Sequence, residues 1–190
     1  LRHGAEKEGL QLQEGGYVYV HEILSLPQFH SFTENAVRHV VITNDKQRFH
    51  IENDPKNGKP RVRANQGHSV QVASLDLTPV TDASDYPLVV HGTYHRAWAS
   101  IQKQGLSRMG RTHIHFAPGE PGEAGVISGM RRNCEILIYL DLAKALKDGL
   151  QFFVSANNVI LSPGDQEGFI QPQYFTQVWQ LSPRKRIIPE

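Results

Sequence analysis

SFTENAVRHVVITNDKQRFHIENDPKNGKPRVRA, residues 31–64, decides the fold of the first half of the chain. Ser31 and Glu34 have the spacing of a capping box, and apolar residues then recur at helical intervals. The predicted elements are a helix ending near Asn44, a strand over 47–52, a turn over 54–59 and an extended segment over 61–64. A helix followed by a β-hairpin is the outline of a winged helix, a common nucleic-acid-binding form.

The second half of the chain has the pattern of several short strands and two helices. Turn-forming residues fill 79–87 (PVTDASDYP), so we predict a first lobe over residues 1–80 and a second over 86–190. The fold class expected from this pattern is α+β. In the second lobe we predict helices over 94–104 and from Asp141 through Lys147, and strands over 88–91, 113–116, 135–140, 152–155 and 159–161.

Composition narrows the function classes. The apolar runs are too short to span a bilayer, and the one cysteine, Cys134, excludes an internal disulfide and a cysteine-based zinc site. We therefore expect an intracellular protein, cytoplasmic or nuclear, with no membrane contact. The net charge of +1 does not indicate a nucleic-acid binder by itself, so an anion site has to come from local clusters of arginine and histidine. Leu1 is not an initiator Met, so we expect a leading segment.

Four short stretches combine arginine, histidine and glycine. Taken singly, each has an ordinary structural explanation: a strand arginine such as Arg63 is usually an edge residue with its charge in solvent, and Gly92 usually marks a bend. Taken together they suit a phosphate-rich ligand, because guanidinium groups bind phosphate bidentately and glycines let the backbone approach closely. The stretches are residues 1–4 (LRHG), 63–69 (RANQGHS), 90–94 (VHGTY) with 110–116 (GRTHIHF), and 128–133 (SGMRRN).

Neither metal nor a classical nucleotide motif is expected. His113 and His115 alternate along a predicted strand and face opposite sides, so they cannot jointly bind one ion in the ordinary way. No Walker A motif is present, and no GxGxxG sequence follows a strand. A dinucleotide bound by this chain therefore requires a fold other than the Rossmann fold.

In this order, the four stretches resemble the tRNA 2′-phosphotransferase family, from LRHG to about Trp179. The resemblance implies an N-terminal winged-helix-like lobe that binds RNA and a C-terminal ADP-ribosyltransferase-like lobe that binds NAD. It also implies a helix before LRHG, whose loss would weaken the packing of the core. It implies a catalytic group of Arg2, His3, Arg63 and Arg131, with Arg132 as the alternative to Arg131. The residues implied to bind NAD are His91, Gly92, Thr93, Gly110, Arg111 and His113.

The resemblance further implies a reaction in two steps that needs no metal. The RNA 2′-phosphate attacks the nicotinamide-bearing ribose carbon of NAD, and the ribose 2″-hydroxyl then attacks phosphorus and releases the RNA. The products are 2′-OH RNA, ADP-ribose 1″,2″-cyclic phosphate and nicotinamide. Val159 stands where many protein-modifying ADP-ribosyltransferases have a catalytic glutamate. A phosphate nucleophile is already largely ionised at neutral pH, so that carboxylate can be dispensed with.

Three other functions remain open at this point. One is an ADP-ribosyltransferase that caps nucleic-acid 5′-phosphates and stops after the first step. Another is a non-enzymatic winged-helix nucleic-acid binder, although the predicted recognition helix has only Arg38 and His39 as basic residues. The third is a histidine phosphatase, because Arg-His-Gly also opens that active site. We expect a monomer that acts on 2′-phosphorylated RNA, with spliced tRNA as the substrate class.

Overall fold

The computed structural model describes residues 1–68, 76–126, 129–131 and 133–188. Ser69, Ser128 and Arg132, which belong to the predicted motifs, lie outside the described residues. The chain divides into two compact units, Leu1–Asp76 and Leu77–Glu190. Both are mixed α/β units in which short antiparallel strands outnumber helices. No helix within the described ranges is long and apolar enough to cross a membrane.

The first unit contains a three-stranded antiparallel sheet in the order β1-β3-β2, with two short helices. Its third strand runs along the middle of the sheet and pairs with both neighbours, for example Val62 with Val18 and with Ile51. This central place explains why Val62 and Ala64 are buried. The elements are β1 (Val18–Tyr19), α1 (Val20–Leu24), α2 (Glu34–Thr43), β2 (Phe49–Asn53) and β3 (Pro60–Ala64).

The start of α2 differs from the sequence prediction. Thr33, not Ser31, is the N-cap residue, and its hydroxyl accepts a hydrogen bond from the Ala36 amide at 3.2 Å. Thr33 lies in extended backbone directly before the first helical residue, which is the geometry that N-capping requires. The capping-box interpretation of Ser31 was therefore wrong, whereas the predicted end of the helix at Asn44 is confirmed.

Apolar side chains of the first unit line a surface groove of about 640 Å³. Its walls come from α1, from α2 and from the connection between them, where Phe32 is 54% exposed. The valines of α2 face this groove, and no residue of that helix is fully buried. The helical periodicity of 37–41 thus reflects an apolar face that the described residues leave partly open to solvent.

The second unit is built from two four-stranded antiparallel sheets, ordered β4-β9-β10-β7 and β13-β12-β8-β5, and a pair formed by β6 and β11. A bridge between Val90 and Ala117 links the two larger sheets. The strands are β4 (Leu77–Pro79), β5 (Val90–Thr93), β6 (Leu106–Ser107), β7 (Ile114–Phe116), β8 (Ile136–Leu140), β9 (Phe153–Ser155), β10 (Ile160–Ser162), β11 (Phe169–Ile170), β12 (Phe175–Leu181) and β13 (Arg184–Ile188). The helices are α3 (His95–Gln104) and α4 (Leu142–Lys147).

The core of the second unit forms where β8 is covered by its neighbours. Ile136 and Ile138 are fully buried together with Phe116 and Ile160 of the other sheet. Asp141 caps α4 as predicted, accepting a hydrogen bond from the Lys144 amide at 2.9 Å. The predicted strand over 88–91 was placed two residues too early, because β5 begins at Val90, where pairing with β8 starts. The hairpin of β12 and β13 was not predicted.

Candidate functional site

Arg2 contacts the segment that follows β3. Its Nε donates a hydrogen bond to the Gln66 backbone oxygen at 2.7 Å, and its Nη2 donates to Gln66 Oε1 at 3.0 Å. Gly67 permits this approach: it has a φ of +81°, and a Cβ there would lie 2.4 Å from Arg2 Nη2. Two predicted motifs, LRHG and RANQGHS, therefore meet in the first unit. His3, the next residue after Arg2, has an exposed side chain.

Arg63 is a buried arginine, with only 8% of its side chain exposed. It lies in the central strand β3, so the interpretation of Arg63 as an edge residue in solvent was wrong. Its guanidinium carbon stands 4.9 Å from the centre of the Tyr17 ring, and Arg61 approaches the same ring at 4.2 Å. Nη2 of Arg63 donates to Asp76 Oδ2 at 2.9 Å. Arg63 and Gln66 belong to one short segment, so that segment also carries the anchor of Arg2.

The Tyr17 ring packs against the guanidinium of Arg63 and is itself held in place by its own contacts. Its ring is buried, and its hydroxyl is hydrogen-bonded to Glu52. Burial raises the pKa of the Tyr17 hydroxyl, an effect that the nearby Arg63 charge partly opposes. Glu52 also accepts hydrogen bonds from Arg61. Burial by itself would raise the pKa of Glu52, but hydrogen bonds, those from Arg61 above all, lower it below its ordinary value. Tyr17 therefore provides a neutral, rigid aromatic surface under a guanidinium that has lost most of its water.

His91 lies in β5, beside the strand that contains His115. Its Nδ1 donates to the His115 backbone oxygen at 2.8 Å, which leaves Nε2 without a proton in the neutral ring. Burial lowers the pKa of His91, and the hydrogen bond to His115 offsets this only in part. At neutral pH the ring therefore presents Nε2 as an acceptor, which suits a ligand hydroxyl group. Phe116 packs against the same ring, edge to face.

Gly92 and Thr93 complete the β5 stretch. A Cβ at Gly92 would come within 3.0 Å of the Cys134 and Met130 side chains, so a larger residue would require these side chains to shift. Thr93 is buried, and its backbone oxygen accepts a hydrogen bond from the Glu135 amide at 2.8 Å. The HGT sequence is thus rigidly held between strands, as a ligand-contacting backbone needs to be.

Gly110, Arg111 and His113 lie on the connection between β6 and β7. Gly110 has open space around its Cα, and Arg111 is exposed. His113 is partly buried against Phe153, and both this burial and the neighbouring charge of Arg108 lower its pKa. Because His113 immediately precedes β7, and β5 adjoins β7 through the Val90–Ala117 bridge, the second unit gathers the predicted NAD-binding residues at neighbouring strands.

Arg131 is exposed and lies beside the start of α3. Its Nη1 donates to the Tyr94 hydroxyl at 3.4 Å, and its guanidinium carbon is 5.8 Å from the ring centre. The Tyr94 hydroxyl in turn donates to Asn133 Oδ1 at 3.1 Å. Tyr94 directly follows Thr93, so the structure brings Arg131 close to the HGT stretch. Two residues before Arg131, Gly129 adopts a φ of +103°, where a Cβ would lie 2.5 Å from the Phe116 backbone oxygen.

Sequence reasoning did not assign a role to the residues that hold these arginines. Tyr17, Gln66 and Asp76 contact Arg63 or Arg2, and Tyr94 contacts Arg131. Gln66 and Tyr94 lie inside the quoted motifs, so their position in the sequence could have marked them as candidate site residues. Tyr17 and Asp76 lie outside these motifs, and no local pattern connects them to Arg63. Val159 is fully buried, and its amide bonds to the Ser155 hydroxyl.

No group of three or more His, Cys, Asp or Glu side chains within the described ranges could hold a metal ion. Fixed guanidinium groups are a cationic feature of the described residues, and Arg2 is anchored on the segment that also contains Arg63. Arginines held in this way, together with a rigid HGT strand in a sheet-rich α/β protein, are features that suit the class of phosphate-binding proteins.

Comparison with known proteins narrows this class. The model of the RNA 2′-phosphotransferase, Tpt1 / KptA family matches residues 1–164. The chain belongs to this family and is an enzyme of this type, a transferase that removes a 2′-phosphate from RNA. The alternatives of a non-enzymatic nucleic-acid binder and a histidine phosphatase are thereby overturned.

The sequence similarity to individual relatives extends over most of this chain. The tRNA 2′-phosphotransferase 1 of Danio rerio is 52% identical over 185 residues, which cover 96% of this chain and 82% of the relative. The Homo sapiens protein of the same name is 50% identical over 188 residues, 98% of this chain and 74% of the relative. The tRNA 2′-phosphotransferase of Saccharomyces cerevisiae is 38% identical over 170 residues, 85% and 74% respectively.

Proposed function

We propose that this chain transfers the internal 2′-phosphate of spliced tRNA to NAD inside the cell, releasing 2′-OH RNA, ADP-ribose 1″,2″-cyclic phosphate and nicotinamide. One observation carries the proposal: the family match over residues 1–164 contains every residue that we assign to the site. The names of the relatives support tRNA as the substrate. We propose that the protein acts as a monomer.

The proposed division of labour assigns RNA binding to residues 1–80 and NAD binding to residues 86–190. The succession of α2, β2 and β3 supports a winged-helix-like first lobe, because a helix followed by a hairpin is the centre of that form. The two sheets joined at Val90 and Ala117 support an ADP-ribosyltransferase-like second lobe, since they hold the HGT strand rigidly.

The residues of the second unit fit a dinucleotide. His91 offers Nε2 to a ribose hydroxyl, and the exposed guanidinium of Arg111 offers charge to a pyrophosphate. Gly110 lets a ligand approach the backbone. NAD supplies an electrophilic ribose carbon with nicotinamide as the leaving group. The chain's own contribution to that step is to orient the ribose, because a phosphate dianion needs no general base.

In our proposal the arginines act mainly in the second step, when negative charge concentrates on the phosphoryl oxygens. Arg63 is suited to this role because its guanidinium is buried, and charge stabilisation is stronger where water is excluded. Arg2 is held by two hydrogen bonds, so little reorganisation is needed when a phosphate binds. His3 is a candidate proton shuttle toward the departing RNA 2′-oxygen.

The test is incubation of the protein with NAD and an RNA that carries one internal 2′-phosphate, followed by mass analysis of both products. We expect 2′-OH RNA together with ADP-ribose cyclic phosphate. An RNA with only a 5′-phosphate serves as the matched control. If NAD is consumed only with the 5′-phosphorylated RNA, and the product keeps its ADP-ribose, the chain caps nucleic-acid ends and the proposal is wrong.

A further inference from the structure

Asp76 places a carboxylate on the guanidinium of Arg63. The two groups form an ion pair of 2.9 Å, yet they differ sharply in exposure: 66% of the Asp76 side chain is accessible to solvent, against 8% for Arg63. The buried guanidinium is therefore the fixed partner of this pair. The exposed carboxylate is the partner that can leave without opening the core.

Other parts of the Arg63 guanidinium lie against the protein. The Tyr17 ring covers one face, and Nη1 lies next to Gly15, whose Cβ position would be 3.5 Å away. Nε is buried, with no hydrogen-bond partner among the described residues. An anion that replaces the Asp76 carboxylate therefore meets this guanidinium at Nη2, the nitrogen that Asp76 contacts at the solvent-exposed end of the ion pair.

We propose that Asp76 is an internal counterion that occupies the phosphate position of Arg63 in the free protein, and that the RNA 2′-phosphate displaces it on binding. This inference rests on the proposed function, in which Arg63 binds the transferred phosphate. Asp76 is then an affinity-determining residue: it keeps a buried charge paired between turnovers and lowers the apparent affinity for RNA phosphate.

The exchange is physically reasonable because the two anions differ in how strongly they interact with a guanidinium group. The Asp76 carboxylate is 66% exposed, so water screens its charge and competes for its hydrogen bond, which weakens its attraction to Arg63. A phosphate monoester near neutral pH carries close to two negative charges and accepts parallel hydrogen bonds from a guanidinium. The phosphate therefore displaces the carboxylate. The rival role, in which Asp76 orients Arg63 for catalysis, predicts the opposite effect of removing the charge.

The experiment compares Asp76→Asn with wild type by measuring kcat and KM for an RNA with one internal 2′-phosphate at saturating NAD. We expect KM for the RNA to fall, and kcat/KM to rise by about fivefold, the effect of removing a partly exposed ion pair. Asp76→Glu keeps the charge and should restore a KM close to that of wild type. An unchanged or raised KM, or a lower kcat, in Asp76→Asn would overturn the proposal.

Two controls separate this effect from a general change in charge. Asp85→Asn removes the same charge from an exposed position outside residues 1–80 and should leave KM unaltered. In an Arg63→Ala background, Asp76→Asn should no longer raise RNA affinity, measured by fluorescence anisotropy with the same RNA. A persisting gain in that background contradicts the proposal. If wild type itself fails to dephosphorylate the RNA with NAD, the proposed function fails first, which is a distinct result.

Discussion

The Arg2 guanidinium is bound to Gln66 through both the backbone and the side chain of that residue, across a separation of 64 positions in sequence. The contact joins the first motif of the chain to the segment that follows β3, three residues after Arg63. An arginine held at two of its nitrogens keeps one orientation, so the position of Arg2 depends on the shape of that segment.

Gly67 is the residue on which this contact depends most directly. We expect Gly67→Ala to lower kcat/KM by about tenfold or more, because the new Cβ would displace the Arg2 guanidinium, and small misplacements of charged groups cost rate steeply. Gly58→Ala is the matched control: Gly58 also has a positive φ, but nothing lies within 4 Å of its Cβ position. Both variants should lose similar stability in thermal unfolding. Equal activities of the two would refute the role of the Arg2 contact.

Removal of either assigned phosphate-binding arginine should abolish activity without unfolding the protein. We expect Arg63→Ala and Arg131→Ala each to reduce the rate of RNA dephosphorylation by about a hundredfold, the usual cost of losing a charged donor in the transition state. Arg186→Ala, on the exposed β13 strand, is the control. Near-normal rates in a folded Arg63 or Arg131 variant would remove that residue from the site. Loss of activity only in Arg132→Ala would reverse our choice within the pair.

The two reaction steps should respond differently to changes at the amino-terminal motif. The second step expels a poor ribose oxygen, so we expect Arg2→Ala and His3→Ala to slow it more than the first. RNA carrying a 2′-phospho-ADP-ribosyl group should then accumulate, visible as a slower gel band with label from adenylate-labelled NAD. Parallel loss of nicotinamide release and dephosphorylation, with no such band, would assign these residues to the first step.

We expect the reaction to proceed without a divalent metal. Arginines supply the positive charge that a metal usually provides to a phosphoryl group. The measurement is dephosphorylation of RNA in excess chelator, compared with the same reaction after magnesium is added. Activity that stops in chelator and returns with magnesium would show that the arginines are insufficient.

Protonation of His91 should destabilise the folded chain at mildly acidic pH. Because burial lowers the pKa of His91 from its ordinary value of 6.5, the unfolded chain binds the proton more readily. The free energy of unfolding should therefore decrease as pH falls below that value, until His91 is also protonated in the folded state. His91→Asn keeps a donor toward the His115 oxygen and should show a shallower loss of stability from pH 7 to pH 5 in urea titrations. An unchanged pH dependence would exclude His91 as a contributor.

Several elements were predictable because their signals are local. The end of α2 at Asn44, the cap of α4 at Asp141 and the buried strand β8 follow from side chains within a few residues of each element. Ser31 failed as a cap because the helix begins at Glu34, so that Thr33 holds the N-cap position and its hydroxyl accepts from the Ala36 amide. The β12–β13 hairpin was missed, since β12 is defined by its pairing with β8 and β13 by its pairing with β12, not by their own composition.

The sequence by itself determined the family and a mixed α/β fold, and it predicted which residues suit phosphate, because motif order and residue chemistry are properties of the chain. Only the tertiary structure decided how those residues are held. Arg63 lies in a central strand over Tyr17, its guanidinium is paired with Asp76, and Arg2 is bound to Gln66. Partners separated by many residues meet only when strands pair and loops close, and no local pattern in the sequence specifies which of them will be in contact.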